Sequence, residues 1–245
     1  MIYITGDCHR DFRKFNSKNF PEQKNLTRDD YVIILGDFGI WDNSKEEEYW
    51  LNWLNKKPCT FLFIDGNHEN FDILNTYPIK EWNGGRIHEI RDNIIHLMRG
   101  QVFKINNKTF FIFGGAESHD KDIILNPNDK YFLDKRKRLN KEWIHYRINR
   151  VSWWEEELPN DNELKEGIFN LKQHDNQIDY ILTHCCGNKL QDKFWPGYPR
   201  NALTQYIDDI LNHVQYQKHF FGHYHQDKFI NEKEIVCYQK IQRIL

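Results

Sequence analysis

A chain of 245 residues is the size of one domain, or of one domain carrying an insertion. Its 34 Lys and Arg against 36 Asp and Glu leave a formal charge of −2, so global charge argues for neither nucleic acid nor an anionic membrane, and any basic site must be local. With 39% hydrophobic and 15% aromatic residues the chain can build a sizeable core, which excludes intrinsic disorder.

In chain order, residues 2–6 read as a strand ending at Gly6-Asp7, and 31–36 as a buried strand ending at Gly36-Asp37. Residues 43–55 place Tyr49, Trp50, Trp53 and Leu54 at helical spacing behind an acidic first turn. A third apolar strand, 60–65, ends at Gly66-Asn67-His68. Strands at 94–97, 101–105 and 109–114 follow in sequence, the last two joined by Asn106-Asn107 in hairpin fashion. Residues 178–183 form another buried strand before His184, 201–212 a helix, and 219–222 a strand ending at Gly222-His223. The tail, 226–241, reads as a hairpin turning near Asn231-Glu232. The longest apolar runs are strand-sized, far short of the ~20 residues of a membrane span. Five cysteines without small-scaffold spacing, and an opening without a basic leader, lead us to expect a cytoplasmic protein with free thiols.

Five strand ends carry the chemistry: Asp7-Cys8-His9, Asp37, Asn67-His68, His184, and His223-Tyr224-His225. Ligands of α/β folds sit beyond the carboxyl ends of strands. Two Asp, one Asn and four His form a mixed oxygen and imidazole set suited to Mn, Fe, Zn, Ni or Co. Any one signature alone is a common turn or an ordinary histidine; the histidines at 88, 96, 119, 145, 174, 213 and 219 read as core or surface residues.

The ordered series D-x-H, G-D, G-N-H, a lone His and G-H-x-H resembles the calcineurin-like metallophosphoesterases, in particular their small bacterial and phage members, over residues 7–225. The resemblance implies a four-layer αββα sandwich with two divalent metal ions. Asp7, His9, Asp37 and His225 would bind one ion; Asp37, Asn67, His184 and His223 would bind the other. Two ions roughly 3.5–4 Å apart clamp an in-line phosphoryl displacement and make a bridging hydroxide available as nucleophile. His68 is then the expected general acid, oriented by Asp65 or Asp92. Manganese is the expected metal.

The sequence departs from the phosphoprotein-phosphatase branch. Gly36-Asp37 continues Phe38-Gly39-Ile40-Trp41 without the phosphate-gripping arginine, and His184 is followed by Cys185-Cys186-Gly187. Arg10 and His119 are candidate substrate contacts. Cys185 and Cys186 read as buried thiols. A further family-like pairing joins Gly114–Asp120 to Ser152–Glu156, spread apart by an insertion at about 121–150 in one domain spanning 1–245. That insertion holds nine basic against four acidic residues and interleaves Tyr131, Phe132, Trp143 and Tyr146. It reads either as a lid attracting a phosphorylated substrate, with bases stacking on the rings, or as an amphipathic helix with its rings turned to the core. Trp153 and Trp154 divide the same way between nucleobase and core. The expected activity is a metal-dependent phosphoester hydrolase, phosphodiester ahead of phosphomonoester. The rivals are a partner-binding scaffold and a nucleic-acid-binding module on the same fold.

Overall fold

In a computed structural model, residues 1–119 and 122–245 are described; Asp120 and Lys121, counted in the motif and insertion above, lie outside the described residues. Two mixed sheets hold most of the strands. The first joins β1 (Ile2–Thr5), β2 (Tyr31–Leu35), β3 (Thr60–Ile64), β4 (Ile79–Trp82), β5 (Gly85–Arg91), β6 (Ile94–Leu97) and the final β15 (Gln242–Arg243) in the order β15-β1-β2-β3-β6-β5-β4. The second joins β7 (Gln101–Ile105), β8 (Lys108–Phe113), β11 (Gln177–Thr183), β12 (Gln215–Phe221), β13 (Lys228–Phe229) and β14 (Glu234–Val236) in the order β13-β14-β12-β11-β8-β7.

The strands that feed the motifs are parallel within each sheet: β1, β2, β3 and β6 in one, β8, β11 and β12 in the other. Parallel strands buried on both faces need continuous apolar sequence, which YVIIL and TFLFI supply. Alternate side chains then serve two cores. Ile33, Leu35, Leu62 and Ile64 meet Phe103, Phe110, Ile112, Leu182 and Phe220 between the sheets. Val32, Ile34, Phe61 and Phe63 face outward, against Leu51 and Leu54 of α1 (Lys45–Asn55) and Phe71 of α2 (Phe71–Leu74). On the second sheet, Phe111, Phe113, Ile181 and Phe221 cluster with Leu171 of α4 (Asp161–Gln173) and Leu203, Tyr206, Ile207 and Ile210 of α6 (Ala202–His213). Burying each such side chain contributes about 1.5–3 kcal/mol. This is the mixed α/β class expected.

The sequence reading had no strands at 79–91, no helix at 161–173 and none at 188–194, where α5 (Asn188–Phe194) lies. The tail does turn back as an antiparallel β13/β14 pair, but its last residues cross to the first sheet and pair with β1. The segment between β8 and α4 builds a small unit of its own: β9 (Ile123–Leu125) pairs in parallel with β10 (Tyr146–Ile148), and α3 (Phe132–Glu142) joins them. Its rings divide: Phe132 and Tyr146 are half-buried, while Tyr131 and Trp143 stand open. Leu139 is the buried residue of α3, whereas Trp143 is 90% exposed and Tyr131 54%. Among the described residues no helix is long and apolar enough to cross a membrane.

Candidate metal centre

The carboxyl ends of β1, β2, β3, β11 and β12 converge, and each delivers the first candidate ligand of its motif within three residues of the last strand residue. The turns are sharp. His9, Asp37, His223 and His225 have φ of 47°, 48°, 67° and 49°, a region that costs about 1–3 kcal/mol for a side-chain-bearing residue and concentrates at functional sites. Close approach explains two of the preceding glycines. A Cβ on Gly36 would lie 2.1 Å from His184 Nδ1, and one on Gly66 would lie 2.0 Å from Asp37 Oδ1.

The side chains form two groups around one carboxylate. His9 Nε2 and His225 Nε2 face each other at 3.0 Å, with Asp7 Oδ2 3.1 Å from His225 Nε2 and 3.8 Å from His9 Nε2. Across the cluster, His184 Nε2 stands 3.2 Å from Asn67 Oδ1. Asp37 Oδ2 reaches both, 3.5 Å from His9 Nε2 and 3.4 Å from His184 Nε2. His223 packs its ring on His184, centroids 5.0 Å apart. All seven candidate ligands thus share one site, and His68 adjoins it through ring contact with His9 at 5.0 Å.

Surrounding groups aim these atoms. Asp7 Oδ1 accepts the His223 N–H at 3.0 Å and Asp37 Oδ1 accepts the His68 N–H at 2.8 Å, so each Oδ2 is left for the cluster. His184 Nδ1 lies 2.7 Å from Leu35 O, which only accepts, so Nδ1 keeps its proton there and Nε2 is the nitrogen turned to the cluster, free to bind a cation once its own proton is displaced. Burial pushes the His184 imidazole down, but the Asp37 carboxylate overrides it and lifts it to about 9. Burial likewise pushes Asp37 up, and His184 and its neighbours outweigh it, holding the carboxyl well below the usual range. Burial and the His184 charge bring His223 down to about 3. Asp7 Oδ2 is buried without a hydrogen-bond donor in bonding geometry. An acceptor-rich cluster with an orphaned carboxylate oxygen fits divalent cations.

Two supporting residues escaped the sequence reading. Lys14 Nζ, buried, donates to Thr5 Oγ1 and to the carbonyls of Gly6, Asp7 and Tyr238, fixing the first motif's turn. Glu69 accepts the N–H groups of Phe38, Gly39 and Ile40 at 2.7–2.9 Å, fixing the loop after Asp37. Glu69 directly follows the third motif, but neither its burial nor its partners leave a mark in the sequence.

The remaining candidates divide. Asp65 lies at the end of β3 but is bound by Arg99 Nε at 2.8 Å and His96 Nε2 at 3.2 Å; Asp92 lines a separate hollow with Arg28 and Tyr31. Neither takes the role of orienting His68. Arg10 stacks on Trp41 and bonds Asp42 at 3.2 Å and Ser44 at 2.9 Å. His119 packs on Tyr198, with His223 6.0 Å beyond. Trp154 packs in the core, 5% exposed, with its Nε1 donating to Asp72 at 2.9 Å. Cys185 and Cys186 are buried and free, and burial pushes the Cys185 thiol up to about 12.

A cavity of about 270 Å³ opens beside Asn67 and His68, walled by Arg10, Trp41, Trp154 and, from β10 (Tyr146–Ile148), Arg147. A larger cavity of about 700 Å³, lined by Asp65, His88, His96, Arg99 and Trp153, touches none of the candidate ligands.

Residues 1–227 match the family model for calcineurin-like phosphoesterase. The chain belongs to that family. As a calcineurin-like phosphoesterase it is a hydrolase acting on phosphoester bonds with the help of bound metal, and the clustered carboxylates and imidazoles are its candidate ligands. A comparison with curated proteins finds no match.

Proposed function

We propose that this phosphoesterase is a dinuclear metal-dependent phosphodiesterase. One ion is held by Asp7, His9, Asp37 and His225, the other by Asp37, Asn67, His184 and His223. The observation that carries this reading is Asp37 Oδ2, within 3.5 Å of one imidazole from each group. Two divalent ions bound there would lower the pKa of a shared water, so that hydroxide is available near neutral pH, and would offset the charge on the phosphoryl oxygens. The chain's own residues do the rest. Asp7 and Asp37 spend one oxygen on a backbone N–H and aim the other inward. Asn67 adds an oxygen without a further negative charge. His68, at the cavity wall, protonates the leaving oxygen. Manganese suits the mixed donor set, and iron, zinc, nickel or cobalt share that chemistry.

A diester is favoured because it carries one negative charge where a monoester carries nearly two. No arginine follows Asp37, and Arg10 is already bonded to Asp42 and Ser44. A narrower reading is favoured by α3: its Lys135, Arg136, Lys137, Arg138 and Lys141 are exposed, with Tyr131 and Trp143 exposed at its two ends. Basic groups interleaved with open rings suit a single-stranded nucleic acid. In this reading residues 1–245 act as one domain, and the described residues 122–150 form an inserted wall of the site. Five free cysteines are in keeping with a cytoplasmic setting.

The test is turnover by metal-stripped protein resupplied with Mn²⁺, comparing bis-p-nitrophenyl phosphate with p-nitrophenyl phosphate. Faster cleavage of the diester supports the proposal. Cleavage of the monoester alone makes the chain a phosphomonoesterase. Bound metal with no turnover of either ester favours the scaffold.

A further inference from the structure

We infer that Ser118 and Glu157 are positioning residues that fix the amide of Asn67 and so complete one of the two ion sites. The inference rests on the reading of Asn67 as a ligand. A side-chain amide can bind a cation only through its oxygen, yet the oxygen and nitrogen ends have nearly the same shape. Something other than packing must choose between them.

The choice is made by a buried relay from two distant segments. Asn67 Nδ2 donates to Ser118 Oγ at 3.2 Å. Ser118 Oγ donates its one proton to Glu157 Oε1 at 2.9 Å, and the Ser118 N–H donates to Glu157 Oε2 at 3.0 Å. With the hydroxyl proton committed to Glu157, Ser118 Oγ has only lone pairs left for Asn67. It must take the NH₂ end. Asn67 Oδ1 is left facing His184 Nε2 at 3.2 Å, on the side of the metal cluster. A flipped amide would set two acceptors against each other at Ser118, in a site where Asn67, Ser118 and Glu157 are all buried away from solvent.

The relay is bolted to the ligand strand. The Gly115 N–H donates to Asp65 O at 2.9 Å, tying the Ser118 loop to the end of β3. Arg99, itself buried, donates through Nε to Asp65 Oδ2 at 2.8 Å and through Nη2 to Glu156 O at 2.7 Å. The three segments carrying Asn67, Ser118 and Glu157 thus share one clamp. Partners beyond the ligands commonly govern metal affinity by about 10–100-fold, and this one acts on a single ligand of a single ion.

The experiment titrates Mn²⁺ into the metal-stripped full chain by calorimetry, comparing wild type with Ser118→Ala, Ser118→Thr and Glu157→Gln, with thermal melts of each metal-free protein. Two ions are expected in the wild type. In Ser118→Ala and Glu157→Gln, one of the two should bind about 10–100-fold more weakly and the other unchanged. Ser118→Thr, which keeps the hydroxyl, should restore the loss. Glu157→Gln preserves size and decides the matter should Ser118→Ala not fold. Unchanged affinity for both ions, or equal weakening of both that Thr does not restore, overturns the inference and leaves the ligand reading intact. A wild type that binds no ion overturns the ligand reading itself.

Discussion

Asp37 Oδ2 lies 3.4 Å from His184 Nε2, a contact between the end of a strand in the first sheet and the end of a strand in the second. The two sheets therefore meet at a carboxylate and an imidazole as well as through their apolar faces. Asp37 is the residue that both halves of the candidate centre share. Asp37→Ala should lower Mn²⁺-dependent turnover by more than about 100-fold, beyond the range typical of a supporting partner. It should also abolish binding of at least one ion. Calorimetry with activity on the same sample checks both.

The same contact makes metal binding pH-dependent. In the metal-free chain His184 is lifted to about 9 by Asp37, so at neutral pH it holds a proton that a bound cation must displace. Affinity should rise with pH up to about 9 and level off above it. Proton release, read as the dependence of the calorimetric heat on buffer ionisation enthalpy, checks this; binding at neutral pH without release contradicts it.

His68→Ala should cost about 10²–10⁴ in kcat if the ring protonates the leaving oxygen. The loss should shrink for a p-nitrophenolate leaving group, which departs without a proton, and grow for an alkyl ester. An equal loss on both would show that His68 does something other than donate a proton.

His88 and His96 lie buried with their Nδ1 atoms 3.0 Å apart, and burial together with His96 brings His88 down to about 4. The unfolded chain takes up that proton near pH 6.5, the folded one only near 4. This contribution to stability is complete above about pH 6.5 and is lost as pH falls towards 4. Melting temperatures of the metal-free protein should decline through that window, and His88→Gln should flatten the decline.

Charge reversal of Lys135, Arg136 and Lys137 should weaken single-stranded oligonucleotide binding and lower the slope of log K against log salt by about 0.7 for each phosphate no longer neutralised. Turnover of bis-p-nitrophenyl phosphate should be untouched, since these side chains lie outside the cavity beside His68. An unchanged oligonucleotide affinity would return α3 to the status of a solvated face.

The motifs were legible because the chemistry fixes residue types at the ends of apolar strands, and YVIIL and TFLFI announce such strands without help from neighbours. The β4/β5 hairpin was missed although Asn83-Gly84, both at positive φ, is a strong turn signal; β4 beside it is charged and largely uncovered. Helix α4 likewise carried its start, with Asn160 and Glu163 forming a capping box, but little of its surface is buried. What no local pattern could give is the relay from Glu157 through Ser118 to Asn67. Its members stand far apart in sequence and meet only once the loop after β8 and the turn before α4 are brought to β3. The exposure of Tyr131 and Trp143 was hidden for a related reason: helical periodicity marks a stripe but not whether anything covers it.

The most direct test of the dinuclear reading is the number of ions bound per chain, measured while turnover is followed. Metal-stripped protein titrated with Mn²⁺ should bind two ions at saturation, with cleavage of bis-p-nitrophenyl phosphate appearing as the second site fills. Full activity with a single ion bound, or saturation at one, would contradict a shared role for Asp37.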